Sequence, residues 1–295
     1  MRSALKAFLA LSLATSLAAC SSDGNGGSTT LTVNLTGTAS YFPVAEAVLA
    51  GAGAPLPAFD PTKWQIEVLD PLKVVLGVGT AASRVCNPAV ALSLTGATGA
   101  WTCNGIDAKA ITLGIVGNMV DNNATKLQTV TTSTGLKSPF CVDVPCTGVT
   151  QGQTFTAAPG FIIPDAFATI LAQLIHGAGS DYADLANSGK GYILVWVLDT
   201  TVATPVGIAG ATLSGVPGTH TVSYPNSTFT GLGASTGATG VAIVEGSATG
   251  ATPIVLSASA AGLPACGGGV TTNCIASQPA GIANGFAFVQ VLEKN

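Results

Sequence analysis

From Lys63 to Leu69 the chain reads Lys-Trp-Gln-Ile-Glu-Val-Leu, placing Trp64, Ile66 and Val68 on one side of a two-residue repeat and Lys63, Gln65 and Glu67 on the other. That period belongs to a strand, whose successive side chains point to opposite faces, and not to a helix. The same alternation opens at Leu31, where Leu31, Val33 and Leu35 interleave with Thr32, Asn34 and Thr36. Further strands are expected around 73–76, 89–94, 110–116 and 127–132, at 192–198 and at 286–292, separated by Gly, Pro and Asn clusters. The run Tyr-Ile-Leu-Val-Trp-Val-Leu at 192–198 has no polar alternation, which predicts burial on both faces.

One segment breaks the two-residue rule. Phe167, Ile170, Leu171, Leu174 and Ile175 recur at helical spacing, with Pro164 and Asp165 at the start and Gly177 at the end. It predicts a single amphipathic helix between two β regions, with a second short turn at 180–187. Charged residues are only 8% of the chain against 47% apolar, the reverse of what disorder requires. No cluster of Lys or Arg exists, so nucleic-acid binding lacks its electrostatic footprint.

The first twenty residues have a different character. Arg2 and Lys6 precede a short apolar run at 7–17, then Ala18, Ala19 and Cys20. About eleven apolar residues are too few to span a bilayer as a helix, and they suit the core of a signal peptide. Leu17-Ala18-Ala19-Cys20 resembles the lipobox of bacterial lipoproteins, which implies cleavage before Cys20, diacylation of that cysteine and a membrane anchor. An ordinary secretory signal that happens to end near a cysteine is the alternative. Ser21, in place of an aspartate, resembles the sorting pattern of outer-membrane lipoproteins. The polar stretch 21–30 is then a flexible spacer, and losing Arg2 and Lys6 takes the net charge from −4 to about −6.

With Cys20 assigned to lipid, six of the seven cysteines remain: Cys86, Cys103, Cys141, Cys146, Cys266 and Cys274. An even number in an exported chain predicts disulfides. Fifteen pairings are formally possible, and the one joining sequence neighbours needs only short loop closures. Zinc is the competing use, but there is no C-x-x-C and only two histidines.

Val197-Leu198-Asp199, the segment Pro205-Val206-Gly207-Ile208-Ala209-Gly210-Ala211 and the turn Thr236-Gly237-Ala238-Thr239-Gly240 together resemble the carboxypeptidase-regulatory-like repeat, a transthyretin-like β-sandwich. Gly237 stands where that pattern usually has aspartate. The resemblance covers 190–293 and, at fewer positions, 31–150, where Val68-Leu69-Asp70 and Thr95-Gly96-Ala97-Thr98-Gly99 repeat two of the marks. It implies a mostly β protein of two tandem transthyretin-like or Ig-like sandwiches, at 31–160 and 190–295, joined by a helical connector at 161–189. Such modules are usually non-catalytic and need no cofactor.

Motifs for chemistry are incomplete. Gly233-Ala234-Ser235-Thr236-Gly237 matches a nucleophile elbow, but no histidine follows Ser235 in the chain. Gly77-Val78-Gly79 imitates a dinucleotide loop, yet the next acid, Asp107, comes too late, and a strand with a glycine turn is expected there. His176 and His220 stand in no metal spacing, and Asp121-Asn122-Asn123 lacks the rest of a calcium loop. The reading is a non-catalytic, lipid-anchored surface protein of the cell envelope that binds or adheres to an envelope protein or glycan. The alternatives are a structural envelope or appendage subunit and, behind it, a hydrolase. Trp64, Trp101 and Trp196 are candidate contacts, although each lies in an apolar strand pattern that suits the core. Metabolic labelling with palmitate should mark the full chain and not its Cys20→Ala variant; label persisting on the variant would refute the anchor.

Overall fold

The computed structural model describes residues 30–121, 127–128, 131–143, 145–248, 254–282 and 286–295. The first part of the chain forms β1 (Thr32–Gly37), β2 (Ala39–Tyr41), helix α1 (Pro43–Gly51), β3 (Trp64–Leu69), helices α2 (Pro71–Val75) and α3 (Thr80–Ser83), and β4 (Leu92–Ser93). There follow β5 (Trp101–Asp107), β6 (Ile115–Asp121), β7 (Thr131–Lys137), β8 (Thr154–Thr156) and β9 (Gly160–Ile162), then helices α4 (Asp165–His176) and α5 (Tyr182–Asn187). The last part holds β10 (Gly191–Asp199), β11 (Val206–Gly207), β12 (Thr212–Ser214), β13 (Thr221–Pro225) and β14 (Leu232–Gly233). It ends with β15 (Val241–Gly246), β16 (Ile254–Ser259), β17 (Gln278–Ala280) and β18 (Phe286–Glu293). The fold is mostly β.

Local chemistry accounts for most of these elements. In β3 the alternating Trp64, Ile66 and Val68 are all fully buried. The segment 73–76, expected as a strand, instead falls largely in α2. Asp70 caps it by accepting from the Leu72 N–H at 3.0 Å, and Pro71 sits where a helix tolerates proline best. Those start signals outweigh the β preference of Val74 and its neighbour. The glycines that resembled a dinucleotide loop lie between α2 and α3, so the strand expected before them is absent. Helix α1 was not legible as a helix; Pro43 opens it, and it buries Val44, Ala45 and Leu49. Helix α4 forms where its stripe predicts, burying Phe167 and Leu171, and ends at Gly177 with φ 101°.

One ten-stranded sheet organises the rest, in the order β14-β13-β15-β10-β18-β7-β6-β3-β4, with β11 paired to β10. The regions 31–160 and 190–295 therefore do not keep separate sheets: β18 runs parallel to β10 on one side and to β7 on the other. Residues Leu31–Asn295 form one compact unit. One face of the sheet is covered over β3, β6 and β7 by the three-stranded sheet β5-β1-β8, burying Val33, Leu35, Trp101 and Cys103 against Trp64, Ile66 and Met119. On that same face α1, α4 and α5 cover β10, β15 and β18, with Phe42, Phe167 and Leu171 against Leu194, Ile243 and Val289. The helical connector is thus part of a core. The opposite face is covered only in part, where β12-β16-β17 packs Leu256 and Ala258 on Ile193, Val195 and Val244. Strand β10 is buried from both sides, as its lack of alternation predicts, and so is its neighbour β15.

The cysteines staple loops within this frame. Disulfides join Cys86 to Cys103, Cys141 to Cys146, and Cys266 to Cys274, the first across 17 residues. In the chain-entropy account a loop of that length is worth about 3 kcal/mol.

The segments that carry the sandwich resemblance meet around Thr236. Its buried hydroxyl donates to the Ile208 carbonyl at 2.7 Å and accepts from the Ala211 N–H at 2.9 Å. Gly207 lies against the Thr239 carbonyl, where a Cβ would collide. The similar turn at 95–99 leads into β5 of a three-stranded sheet, whereas 236–240 leads into β15 beside β10. The two marks therefore occupy different places in the topology. Replacing Thr236 by Val keeps the shape but leaves the Ala211 N–H without its acceptor. It should cost about 2–3 kcal/mol in urea unfolding, and a loss below about 0.5 kcal/mol would show that the hydroxyl is not a tie.

Candidate binding groove

The partly covered face of the central sheet can be read along one transverse row. Register places Val222, Val244, Ile193, Phe288, Ser133, Asn118 and Glu67 side by side across β13, β15, β10, β18, β7, β6 and β3. The first three lie under the β12-β16-β17 cover or at its edge, and Phe288 packs against that cover's margin. Beyond Phe288 the row turns polar. There a cavity of about 260 Å³ opens, with Asn118, Ser133, Gly135 and Gln290 among its lining. Its apolar walls come from Pro71 and Val74 of α2, Leu113, Val116, and the segment from Gln278 to Ile282.

The polar floor of the groove is neutral, while Lys137 and Glu293 also line the cavity. The Ser133 hydroxyl donates to Asn118 Oδ1, and both residues are buried. Asn118 Nδ2 has no hydrogen-bond partner although Asn118 is only 2% exposed. A buried amide left in that state costs about 1–3 kcal/mol, so it calls for an explanation. Gln290 Nε2 donates to the Val291 carbonyl at 3.1 Å. Glycine at 135 keeps room for that side chain: a Cβ would sit 3.2 Å from Gln290 Oε1 and 3.6 Å from the Phe288 ring. At the end of the row, Glu67 is paired with Arg84, whose Nε donates to it at 3.1 Å. Lys137, also in the lining, holds its ammonium 5.5 Å from the centre of the Phe155 ring and 5.9 Å from that of Phe140.

A second polar cluster ties α4 to the sheet. Glu245 Oε1 lies 2.8 Å from His176 Nε2, 2.9 Å from Lys190 Nζ and 3.5 Å from the Tyr192 hydroxyl, which also donates to Ser188 Oγ at 2.9 Å. Burial pushes the Glu245 carboxyl up, but the hydrogen bonds from His176 and Lys190 and their charges outweigh it, and its pKa falls below the ordinary 4.5. Burial also raises the Tyr192 phenol, against the Ser188 hydrogen bond, with the Glu245 charge adding to the rise. These contacts fasten the helix end to β15; they assemble no nucleophile with a base.

The residues singled out in the sequence are dispersed. Cys20 lies outside the described residues, as do Asn122 and Asn123; Asp121 ends β6. Trp64 and Trp101 are buried in the first core, and Trp196 packs on Phe42 and Phe161 while donating to the Thr239 carbonyl at 3.0 Å. Trp64 and Trp101 offer no open face for a partner, and Trp196 is half-buried. Ser235 sits in a bend after β14, with no strand-turn-helix around it. His176 is held by Glu245, while His220 Nε2 lies 3.2 Å from the Ser247 carbonyl oxygen. Among the described residues no group of three or more His, Cys, Asp or Glu could hold a metal ion. Sequence reasoning missed Asn118, Ser133, Gln290 and Glu245. The available signal was a polar residue inside an apolar strand run, as in Phe-Ala-Phe-Val-Gln-Val-Leu at 286–292.

No family profile matches this chain, and no curated protein matches it. Among solved structures it aligns with one described as the structure of the Streptococcal ancillary pilin, at 11% identity, over 89% of this chain and 69% of that one, with a TM-score of 0.20. At that score the alignment bears on neither fold nor function.

The Glu245 cluster makes a pH prediction with a definite sign. A carboxyl with a lowered folded pKa contributes stability that is fully present above its unfolded pKa and is lost as pH falls through the folded value. The full chain should therefore unfold later than its Glu245→Gln variant at pH 7, and the gap should close only below pH 4.5. A gap that is already closed at pH 6 would contradict this account.

Proposed function

We propose that this chain is a non-catalytic binding module, held at the cell envelope by a lipid on Cys20, that receives an envelope protein in the groove over β6, β7 and β18. The observation that carries the reading is the groove itself, with an unsatisfied Asn118 amide in its lining on the partly covered face of a sheet. Sheets bury their apolar face against a second layer wherever the chain can supply one. Here β12-β16-β17 stops short, and the side chains beyond it switch from apolar to uncharged polar. Cavities with apolar walls and a few placed polar groups are the usual form of a binding site.

The partner class follows from the walls. A glycan brings hydroxyls on most sides and needs many polar partners, whereas Val74, Leu113, Val116 and Ile282 offer apolar surface. An apolar segment of a protein fits them better. The lipobox, the spacer and the three disulfides support an exported, tethered molecule.

A photo-crosslinking amino acid placed at Val116 in cells should yield a discrete adduct with an envelope protein. The same probe at Val255, 56% exposed on β16, should not. Equal adducts from both positions, or none from Val116, would overturn the reading.

A further inference from the structure

The covering sheet β12-β16-β17 ends with one strand edge unused. β17 pairs with β16 through Ile254 and Ala280, Val255 and Pro279, and Leu256 and Gln278. Proline has no N–H, so Pro279 cannot sit in a pair that exchanges both bonds, and the bonds to β16 fall at Gln278 and Ala280. The Pro279 carbonyl therefore points away from β16, as proline in an edge strand requires. Ser277 and Gly281 flank it two residues away on either side, in the same alternation. Among the described residues the Pro279 carbonyl and the N–H and carbonyl of Ser277 and Gly281 have no hydrogen-bond partner.

That edge borders the groove. Gln278 to Ile282 line the cavity, and no residue of β16 or β12 does. The segment leading into β17 is tied to the end of β18, where the Ala276 N–H donates to the Glu293 carbonyl at 2.8 Å. A further strand at the usual spacing of about 4.8 Å from β17 would lie over β7, the neighbour of β18. There the floor is Ser133 and Gly135, shallow side chains that leave the trough open, and α2 closes the far side with Pro71 and Val74.

From this we infer that the groove takes an extended segment of the envelope partner as an added strand on β17, its backbone pairing with Ser277, Pro279 and Gly281 and its apolar side chains filling the cavity. Unpaired N–H and carbonyl groups at a strand repeat are what a second polypeptide backbone matches. Pro279 removes one donor from such a ladder and leaves the other groups usable. A cavity of about 150 Å³ holds a benzene, so about 260 Å³ takes roughly two aliphatic side chains. On one face of a strand those are residues two apart. Lys137 and Glu293 border the cavity where β7 and β18 end, and the pairing assigns no charge to the segment. The inference rests on the docking role proposed above and gives the form of the docked segment.

The probe is the blocked pentapeptide acetyl-Thr-Val-Thr-Val-Thr-amide, whose two valines share one face. Added to the isotope-labelled full chain at millimolar concentration, it should move the amide proton signals of Ser277 and Gly281 downfield and slow their hydrogen exchange at least about fivefold. Backbone N-methylation separates edge pairing from burial of the valines. Methyls on the valine nitrogens and methyls on the threonine nitrogens lie on opposite edges of the strand. One pattern should weaken binding at least about tenfold, and the other should leave it unchanged. Gly281→Pro removes a donor that no described residue uses, at a position with open space around it, and should weaken the peptide about tenfold. If that variant does not fold, the two N-methylated peptides decide. The inference is overturned if Ser277 and Gly281 do not respond, if both N-methylated peptides bind alike, or if Gly281→Pro binds the peptide as before. Signals of Gly281 that move with protein concentration alone would give the edge to a second copy, and would overturn it too. The two readings fail separately. A Val116 photo-adduct without a response at Ser277 and Gly281 overturns the added strand alone, and that response without an adduct overturns the docking role alone.

Discussion

The final strand of the chain is the pairing on which the remaining structure depends. β18 lies between β10 and β7 and runs parallel to both, so it joins strands laid down before and after the helical segment into one sheet. Parallel neighbours cannot be linked by a tight turn, so this pairing is long-range. Its alternating side chains serve both layers: Val289 points into the helix-covered core, while Leu292 enters the core under β12-β16-β17. The strand is then secured at its end. The Lys294 N–H donates to the Leu198 carbonyl at 2.8 Å, and Lys294 Nζ reaches Asp199 at 2.7 Å, holding that carboxyl down to about 2 through this hydrogen bond first, with Thr201 adding to it.

A chain this poor in charge uses its ionic groups at the margins of the layers. Glu67 meets Arg84 from the end of α3, Glu245 meets His176 at the end of α4, and Asp199 meets Lys294 beside the last strand. In each pair one member belongs to a central strand and the other to a segment packed on or ending beside it. Glu67 and Glu245 are buried, and an unpaired buried carboxylate would cost several kcal/mol, so these two acids require their partners to be in place. Elsewhere the cores close with apolar contact, backbone pairing and a few buried hydroxyls such as those of Thr134 and Thr236. The groove differs from these margins: its Asn118, Ser133 and Gln290 are neutral, and the amide of Asn118 is incompletely paired.

The strand pattern was legible at Thr32–Gly37 and Trp64–Leu69, where apolar and polar residues alternate, and the amphipathic stripe of α4 was legible for the corresponding reason, but β5 and β16, which alternate between buried and less buried positions, were not read as strands. Errors fell where signals compete. The apolar 73–76 segment has β-branched residues, but Asp70 and Pro71 start a helix there. Helix α1 has a short apolar face in an alanine-rich stretch, which gives little periodicity to read. The groove was almost illegible. Asn118, Ser133 and Gln290 lie in three strands, and only Gln290 interrupts a strongly apolar run. Nothing local says that they share a face.

By itself, the sequence determined the mostly β class, the helix at 165–176, the double-sided burial of β10 and the poverty of charge. These follow from the periods of side chains and from composition, which act within a few residues. Tertiary structure alone decided that the two β regions share one sheet, that the helices form part of a core, and that a polar groove opens where the second layer ends. A strand's alternation says which residues share a face, but its hydrogen-bonding groups accept any neighbour of suitable register. The choice of β7 and β10 as neighbours of β18 therefore rests on how three separate layers pack, and local sequence carries no record of that.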